Sequence, residues 1–399
     1  MKKPNKINRI NIDKKSIIVL VIAAVIFFGA IIWIHSEDIL NGAGDIFDVY
    51  GGENVEFEKA TVIEILNEKI EIDEIIDNAA AGNQELKVIV KSGRYKGETM
   101  VVYNYFGPYY GVPVAVGDGV TLTIKTHTDG MHSATVYEFN RIPTLTVFLI
   151  VFFVVVIIVG GIKGLKSLVG LIITIICLIS ILIPLLFKGA PTILTTFLVC
   201  AFIAMVSFVI LGGVHRKTIS AFLGTAAGAF LAMVFGLVVQ YFAKIDGLRL
   251  EDAEPLIQLK YIGVTINLRG LLVAGIIISA LGAVMDVAMS ISSSLEEVHA
   301  ANPALTRKQL FKSGMNIGRD MVGTMTNTLI LAFLGSEFTL IIFFYSRGMT
   351  FYHLFSTAFI TLETISGLSS SLGMILAIPL TAFISSSLIT KKQIASQKK

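Results

Sequence analysis

The chain has 399 residues, enough for about two or three soluble domains, yet 54% are hydrophobic, only 15% are charged, and the mean hydropathy is +0.77. A soluble chain carries roughly 25% charge, so a soluble protein is excluded and a polytopic membrane protein is expected. The formal net charge of +3 hides an asymmetry: residues 35–142 hold 18 of the 29 acids but only 8 of the 32 bases, a net of −10. Such a distribution reads as membrane topology and excludes a nucleic-acid partner.

Six bases from Lys2 to Lys15 precede the apolar run Ile17–Ile34. That run is longer than the roughly 7–15 residues of a signal-peptide core, and Ile32-Trp33-Ile34-His35 is no small-residue cleavage site, so an uncleaved anchor with its N-terminus inside is expected. Residues 35–142 form the one sizeable soluble unit. Strand-like runs at Val55–Leu66, Glu85–Lys91, Glu98–Tyr105, Gly119–Lys125 and Ala134–Phe139 are separated by turn signals such as Ser92-Gly93 and Gly117-Asp118-Gly119. Five strands in about 90 residues predict a small, OB-like barrel. Between the first two strands, Ile70–Ala81 carries four acids and reads as a short helix, and the aromatic loop Tyr103–Tyr110 reads as resting on lipid headgroups.

Apolar runs then recur at 143–160, 165–187, 192–212, 219–243, 270–291 and 321–345. Their connectors Lys163/Lys166, Arg216-Lys217 and Arg307–Arg319 fall on the inner side, where the positive-inside rule places bases. Counting both tails, 18 bases lie inside, against six in the short outer loops. The last stretch, Phe351–Leu388, is too long for one crossing and cramped for two. Phe351–Ile365 is therefore read as a re-entrant or interfacial helix and Gly367–Leu388 as the final crossing. The expected architecture is an all-α polytopic bundle of about eight transmembrane helices, both termini cytoplasmic. Its parts are a basic tail and anchor (1–34), an extracellular acidic β-rich domain (35–142) and a multi-helix transmembrane domain (143–399).

One helix face stands out. Gly275, Ser279, Gly282, Asp286, Ser290, Ser293 and Glu297 follow at spacings of three and four and share a stripe. Asp286 lies five residues inside Ile291, roughly 7–8 Å of helix rise, too far for so short a side chain to snorkel. An acid in a span faces the interior or a wet cavity and is a functional candidate, the bland alternative being an aspartate bonded to a neighbouring backbone. The next span opens with Asn316, Asp320, Gly323 and Asn327, with Arg319 placed to neutralise Asp286 or Asp320. A third polar element, Thr361–Ser371, contains Glu363 and Ser370 and reads as a helix break of the kind that builds transporter sites. The ridges Gly224/Gly228/Ala232/Gly236 and Gly373/Ala377/Thr381/Ser385 read as close-packing seams.

Other motifs fail. His127-x-Asp129-x-x-His132 is a turn and not a metal ligand set. There is no phosphate-binding loop, no His-Glu-x-x-His and no nucleophile elbow, so no catalytic residue, metal or cofactor is expected. Cys177 and Cys200 lie in apolar runs, and residues 35–142 contain no cysteine for a disulfide framework.

The blocks Leu268-Arg269-Gly270-Leu271-Leu272, Gly282–Ser294 (with Met285-Asp286-Val287) and Ser313–Leu329 (with Arg319-Asp320, Gly323-Thr324-Met325 and Asn327-Thr328) resemble the YibE/F family of bacterial membrane proteins. The resemblance implies a plasma-membrane location and suggests a permease, without a substrate. The first expectation is an ion-coupled permease for an unknown small solute or ion, with Asp286, Ser290, Ser293, Arg319, Asp320, Asn327, Glu363 and Ser370 lining a polar path. A scaffold or sensor acting through the extracellular domain is the alternative, and an intramembrane enzyme pairing Asp286 with Asp320 is the third. The lipid bilayer is one partner; a homo-oligomer or a membrane partner is left open.

Overall fold

A computed structural model describes residues 54–126, 132–250, 253–261 and 263–397, which divide into two compact units between Val159 and Gly160. The anchor Ile17–Ile34 and the turn His127–Met131 lie outside the described residues.

The first unit contains five strands: β1 (Asn54–Asp73), β2 (Ala79–Val90), β3 (Thr99–Phe106), β4 (Gly119–Thr126) and β5 (His132–Phe139). They close into a barrel of order β1-β2-β3-β5-β4, antiparallel except where β3 meets β5. Period-two alternation sets the inside: Leu86, Val88 and Val90 on β2 and Val120, Leu122 and Ile124 on β4 are fully buried. Closure leaves no free sheet edge. At one end of the barrel, the Ser92 hydroxyl donates to the buried Glu58 carboxylate (2.5 Å) and accepts from Lys59 N–H (2.8 Å). Gly93 is required there: its φ is 64°, and a Cβ would fall 1.3 Å from a Glu58 oxygen. Only glycine takes such a backbone conformation at no steric cost.

The predicted helix at Ile70–Ala81 is a β-hairpin instead. Ile70 and Ile72 alternate with Glu71 and Asp73, which is strand period, and pair with Gly82 and Ala80. Asp77 and Asn78 both take left-handed backbone (φ 48° and 58°), and Ala79 N–H donates to the Ile76 carbonyl at 2.8 Å. Two successive positive φ values are the geometry of a hairpin turn. The Asp73 carboxylate accepts from Ile75 and Ile76 N–H and starts the reversal.

Two buried amides hold the long β3–β4 loop. Gln84 donates to the Val114 carbonyl (3.0 Å) and accepts from Val114 N–H (2.9 Å), while Asn104 donates to Gln84 and to the Val112 carbonyl. Gln84→Ala strands these groups and is expected to cost about 1–3 kcal/mol. In hydrogen exchange, the Val114 amide should then exchange at least ~10-fold faster. An unchanged rate would mean the loop is held by other contacts.

The second unit is helical. α1 (Ile142–Cys177) begins in the first unit and continues through a π-turn (Leu178–Leu182) into α2 (Ile183–Phe187). These 46 residues would reach about 69 Å as one straight helix, over twice the ~30 Å hydrocarbon core of a bilayer. Gly161 breaks the run with a positive φ of 56°, between the two predicted crossings. There follow α3 (Thr192–Gly212), α4 (Arg216–Ala243), α5 (Ala253–Tyr261), α6 (Leu271–Ala301), α7 (Arg307–Ser336), α8 (Phe338–Ser346), α9 (Phe351–Ser356) and α10 (Ala358–Gln397). Among the described residues, five spans are long and apolar enough to cross a membrane, or six if α7 and α8, bent by 59°, count as one.

Helices α4, α6 and α10 form the centre, with α3 against α4 and α6, and α7 against α10 and α6. The two small-residue ridges meet each other. A Cβ on Gly228 would lie 2.7 Å from Ala377 Cβ and 2.6 Å from Val284, and one on Gly373 would lie 2.6 Å from Ala232 Cβ. Bases gather at one end of the bundle. Arg216 donates to the Leu388 carbonyl, and Lys217 pairs with Glu296 at 3.3 Å. Arg307 stacks over Phe383, 4.5 Å from the ring centroid, a cation–π contact. The start of α4, the end of α6, the start of α7 and the end of α10 therefore share that end. The Thr306/Gln309 capping box opens α7. At the opposite end Thr192 donates to the Asn267 carbonyl (2.9 Å), and Asp246 faces Arg249 and Arg269.

One predicted break is absent. α10 runs uninterrupted through Thr361–Ser371, and the chain bends earlier, at Thr357 (φ −72°, ψ 133°), so that Phe351–Ser356 alone forms the short helix. The polar run stays helical because neighbours use it. Thr361 donates back to the Thr357 carbonyl, Gly367 leaves room for Phe333, and Ser369, Ser370 and Ser371 are buried.

Candidate functional site

Helix α6 is amphipathic across a membrane-length span. Ile277, Ala280, Val284, Val287, Ile291 and Leu295 are fully buried or nearly so against the bundle. The opposite stripe carries the polar and glycine residues: Gly275, Gly282, Asp286, Ser290 and Glu297 are exposed, and Ser279 and Ser293 half-buried. No atom lies within 4 Å of a Cβ built on Gly275 or Gly282, so this face is open. Among the described residues, Asp286 makes no hydrogen bond or ion pair.

Helix α7 repeats the pattern. Leu310, Gly314 and Gly318 are buried, Gly314 against Leu295 and Ala382 and Gly318 against Ile378. The other side exposes Asn316, Arg319, Asp320, Gly323 and Asn327, with open space at Gly323. No ion pair joins Arg319 to Asp286 or Asp320 among the described residues. Both helices meet the basic end. Asp286 stands 15 residues before Ala301 and Asp320 13 residues after Arg307, so both carboxylates lie about 20 Å of helix rise from that end.

The remaining predicted residues lie elsewhere. Ser370 is fully buried, its hydroxyl 2.7 Å from that of Ser279, in the seam of α10 and α6. Nearer the basic end, Ser220 of α4 donates to Ser292 of α6 (3.1 Å) and Ser385 of α10 (3.5 Å). Hydroxyl bonds of this kind tie spanning helices together. Glu363 lines a cavity of about 310 Å³ between α7, α8, α9 and α10. The other polar groups there are Glu337, at the α7–α8 bend, and Thr364; Phe333, Leu334, Phe355 and Leu368 supply much of the apolar wall. The eight predicted residues thus occupy three places: an open polar face, a dry hydroxyl seam and an apolar cavity. Sequence reasoning missed Glu337, although it is the only acid between residues 321 and 350 and lies inside an apolar run. Among the described residues, no cluster of three or more His, Cys, Asp or Glu could hold a metal ion.

Membrane-length helices around a small-residue core, most of them too apolar for water, define a multi-span membrane protein. The family model for YibE/F-like proteins matches residues 148–391, well over half of the chain, and the chain belongs to that family. The barrel lies outside the matched region. No curated protein and no solved structure matches the chain.

Proposed function

We propose that the chain is an ion-coupled permease of the bacterial plasma membrane, with Asp286 on its polar path. The supporting observation is the open stripe of Gly275, Gly282, Asp286 and Ser290 on an otherwise apolar spanning helix. A carboxylate at membrane depth costs about 2.5–3.5 kcal/mol on insertion scales and persists where water or protein meets it. The second stripe, Asn316/Asp320/Asn327, supports a polar route shared by two helices. Arg319 beside Asp320 limits the net charge of that route.

In this reading the chain crosses the membrane eight times. Both termini and the basic end are cytoplasmic, and the barrel is extracellular. Lysine and arginine at one end of the bundle support that orientation. The barrel is read as OB-like, supported by its strand order and its parallel β3–β5 contact. The path is tested by replacing Cys177 and Cys200 with alanine and placing single cysteines at Ser290, Asn327, Ser370 and Leu281. A hydrophilic thiol reagent should label Ser290→Cys and Asn327→Cys in intact membranes at least ~10-fold faster than buried Leu281→Cys or Ser370→Cys. Equal, slow labelling at all four would sink the permease.

A scaffold or sensor is the second reading, favoured by exposed aromatics on the barrel. Phe57 and Tyr137 meet edge to face at 5.1 Å, and Tyr103 stacks on Tyr105 at 6.3 Å. Exposed aromatic surface of this kind marks interaction sites. A scaffold would keep its activity when Asp286 becomes asparagine and lose it when residues 35–142 are removed.

A further inference from the structure

We propose that Asp286 on the open face of α6 pairs with Arg319 on the open face of α7 in a second copy of the chain, so that the polar path is completed only where two copies meet. This deepens the permease reading and rests on it for transport, though not for association.

Three observations carry the assignment. The first is that the chain leaves both charges unmatched. Asp286 and Arg319 are exposed on spanning helices, and among the described residues neither makes an ion pair. A charged group at that depth is costly unless it meets water or a charge of opposite sign. At the two ends of the bundle, charges are instead matched within the chain: Lys217 with Glu296, and Asp246 with Arg249 and Arg269.

The second is direction. α6 meets α7 where Leu295 packs against Gly314. Asp286 is nine residues from Leu295, about two and a half turns, and so lies on the opposite side of α6. Arg319 is five residues from Gly314, roughly 140° round α7, and points away from α6. The two charges of one chain face opposite ways, and a partner for each comes from outside it. A contact that joins the α6 face of one copy to the α7 face of the next is heterologous and repeats from copy to copy.

The third is depth. Asp286 stands 15 residues before Ala301 and Arg319 stands 12 residues after Arg307, at helix ends that share the basic end. The corresponding rises are about 22 and 18 Å. Copies related by an axis along the membrane normal keep every residue at its depth, so the two opposite charges come within one helical turn of each other. The long arginine stem spans that offset and keeps the α7 backbone clear of Gly282 and Ser290, which stay wet. In bicelles that hold one copy each, Asp286 lacks this partner. The anchor run Ile17–Ile34 contains no charged residue, so covering the α6 face with it would leave Asp286 unmatched. A cation or proton that reaches Asp286 competes with Arg319 of the neighbouring copy, which ties ion binding to the contact between copies.

The test uses full-length chains labelled with donor or acceptor dyes and reconstituted at high lipid-to-protein ratio, with energy transfer reading association. Asp286→Arg and Arg319→Asp should each weaken association at least ~10-fold, because like charges then meet. Mixing the two variants should restore it to within ~3-fold, since each reversed residue faces its opposite on the other copy. A pair formed inside one chain would be restored by the double variant but not by mixing. Should a reversed chain fail to fold, Asp286→Asn and Arg319→Gln, which remove one charge each, should still weaken association at least ~3-fold. With Cys177 and Cys200 replaced by alanine, a short bifunctional thiol reagent should join Asp286→Cys chains to Arg319→Cys chains and neither to itself. Association indifferent to these substitutions, a loss that mixing does not restore, or like-to-like cross-links overturns the assignment. If mixing restores association but Ser290→Cys stays unlabelled, the permease falls and the assembly remains. If Ser290→Cys labels while the substitutions leave association unchanged, the assembly falls alone and the path belongs to a single chain.

Discussion

Gly228→Leu is expected to dismantle the helical bundle, whereas Gly282→Ala should strengthen it. Both glycines sit inside spanning helices and carry the same intrinsic helix penalty of about 0.8–1.0 kcal/mol relative to alanine. Their surroundings differ. A Cβ on Gly228 would stand 2.6 Å from Val284 Cγ1, 2.7 Å from Ala377 Cβ and 3.1 Å from the Gly373 carbonyl oxygen, while one on Gly282 would meet nothing within 4 Å. At Gly228 the nearest atoms include backbone of α10, which cannot yield as a flexible side chain would. Adding even a methyl must push α4 off α10, and overpacking of this kind costs roughly 1–3 kcal/mol. A leucine forfeits the close approach along the whole ridge and, with it, the hydroxyl bonds from Ser220 to Ser292 and Ser385. In SDS-titration unfolding of the purified chain, Gly228→Ala should lower stability by up to about 2 kcal/mol net of the propensity gain. Gly228→Leu should yield no monodisperse protein. Gly282→Ala should raise stability by up to about 1 kcal/mol. A destabilised Gly282→Ala would mean that another helix closes over the α6 stripe.

That contrast also marks what the amino-acid order can and cannot reveal. Both small-residue ridges are legible because a spacing of four puts residues on one helix face, and in a membrane small faces pack. The stripes on α6 and α7 are legible for the same reason. Their direction is not. Periodicity says that Asp286 and Ser290 share a face, but whether that face meets α10 or open space depends on which opposite face packs better. Val284, Val287 and Ile291 win that competition. The run Thr361–Ser371 misleads because serine, threonine and glycine signal a break in water, whereas inside the bundle the Thr361 hydroxyl finds a helix carbonyl and the Ser370 hydroxyl a neighbouring serine. The cavity acids show the complementary gap. Glu363 stands out by its polar neighbours, but Glu337 joins it only through the bend after Ser336, and no local pattern encodes a 59° turn. In the barrel, alternation marks all five strands, while the β1–β2 turn escapes because the run of acids Glu71, Asp73, Glu74 and Asp77 obscures the period of two in Ile70 and Ile72.

Asp286→Leu should stabilise the folded chain while closing the path, and this pairing decides what the aspartate is for. Asp286 occupies an exposed stripe of a span and has no hydrogen-bond or ion-pair partner among the described residues. An aspartate at the centre of a spanning helix costs about 2.5–3.5 kcal/mol relative to water on insertion scales, and leucine there is slightly favourable. If no structural bond holds Asp286, its removal releases much of that cost, and unfolding in lipid bicelles should show a gain of about 2 kcal/mol. A structural aspartate behaves oppositely: truncating one partner of a buried hydrogen bond leaves the other unsatisfied, with a loss of about 1–3 kcal/mol. The functional readout must move against stability. With leucine at 286, water loses its polar foothold between Gly282 and Ser290, and thiol labelling at Ser290→Cys should fall by at least ~10-fold. Asp286→Asn should keep the stripe wet and retain that labelling, but it removes the charge and should stop ion-coupled flux. Stability gained together with access lost is the signature of a residue kept for its chemistry at the expense of the fold. A leucine variant that is less stable and still labelled would assign Asp286 to the architecture and leave the barrel as the place where this chain acts.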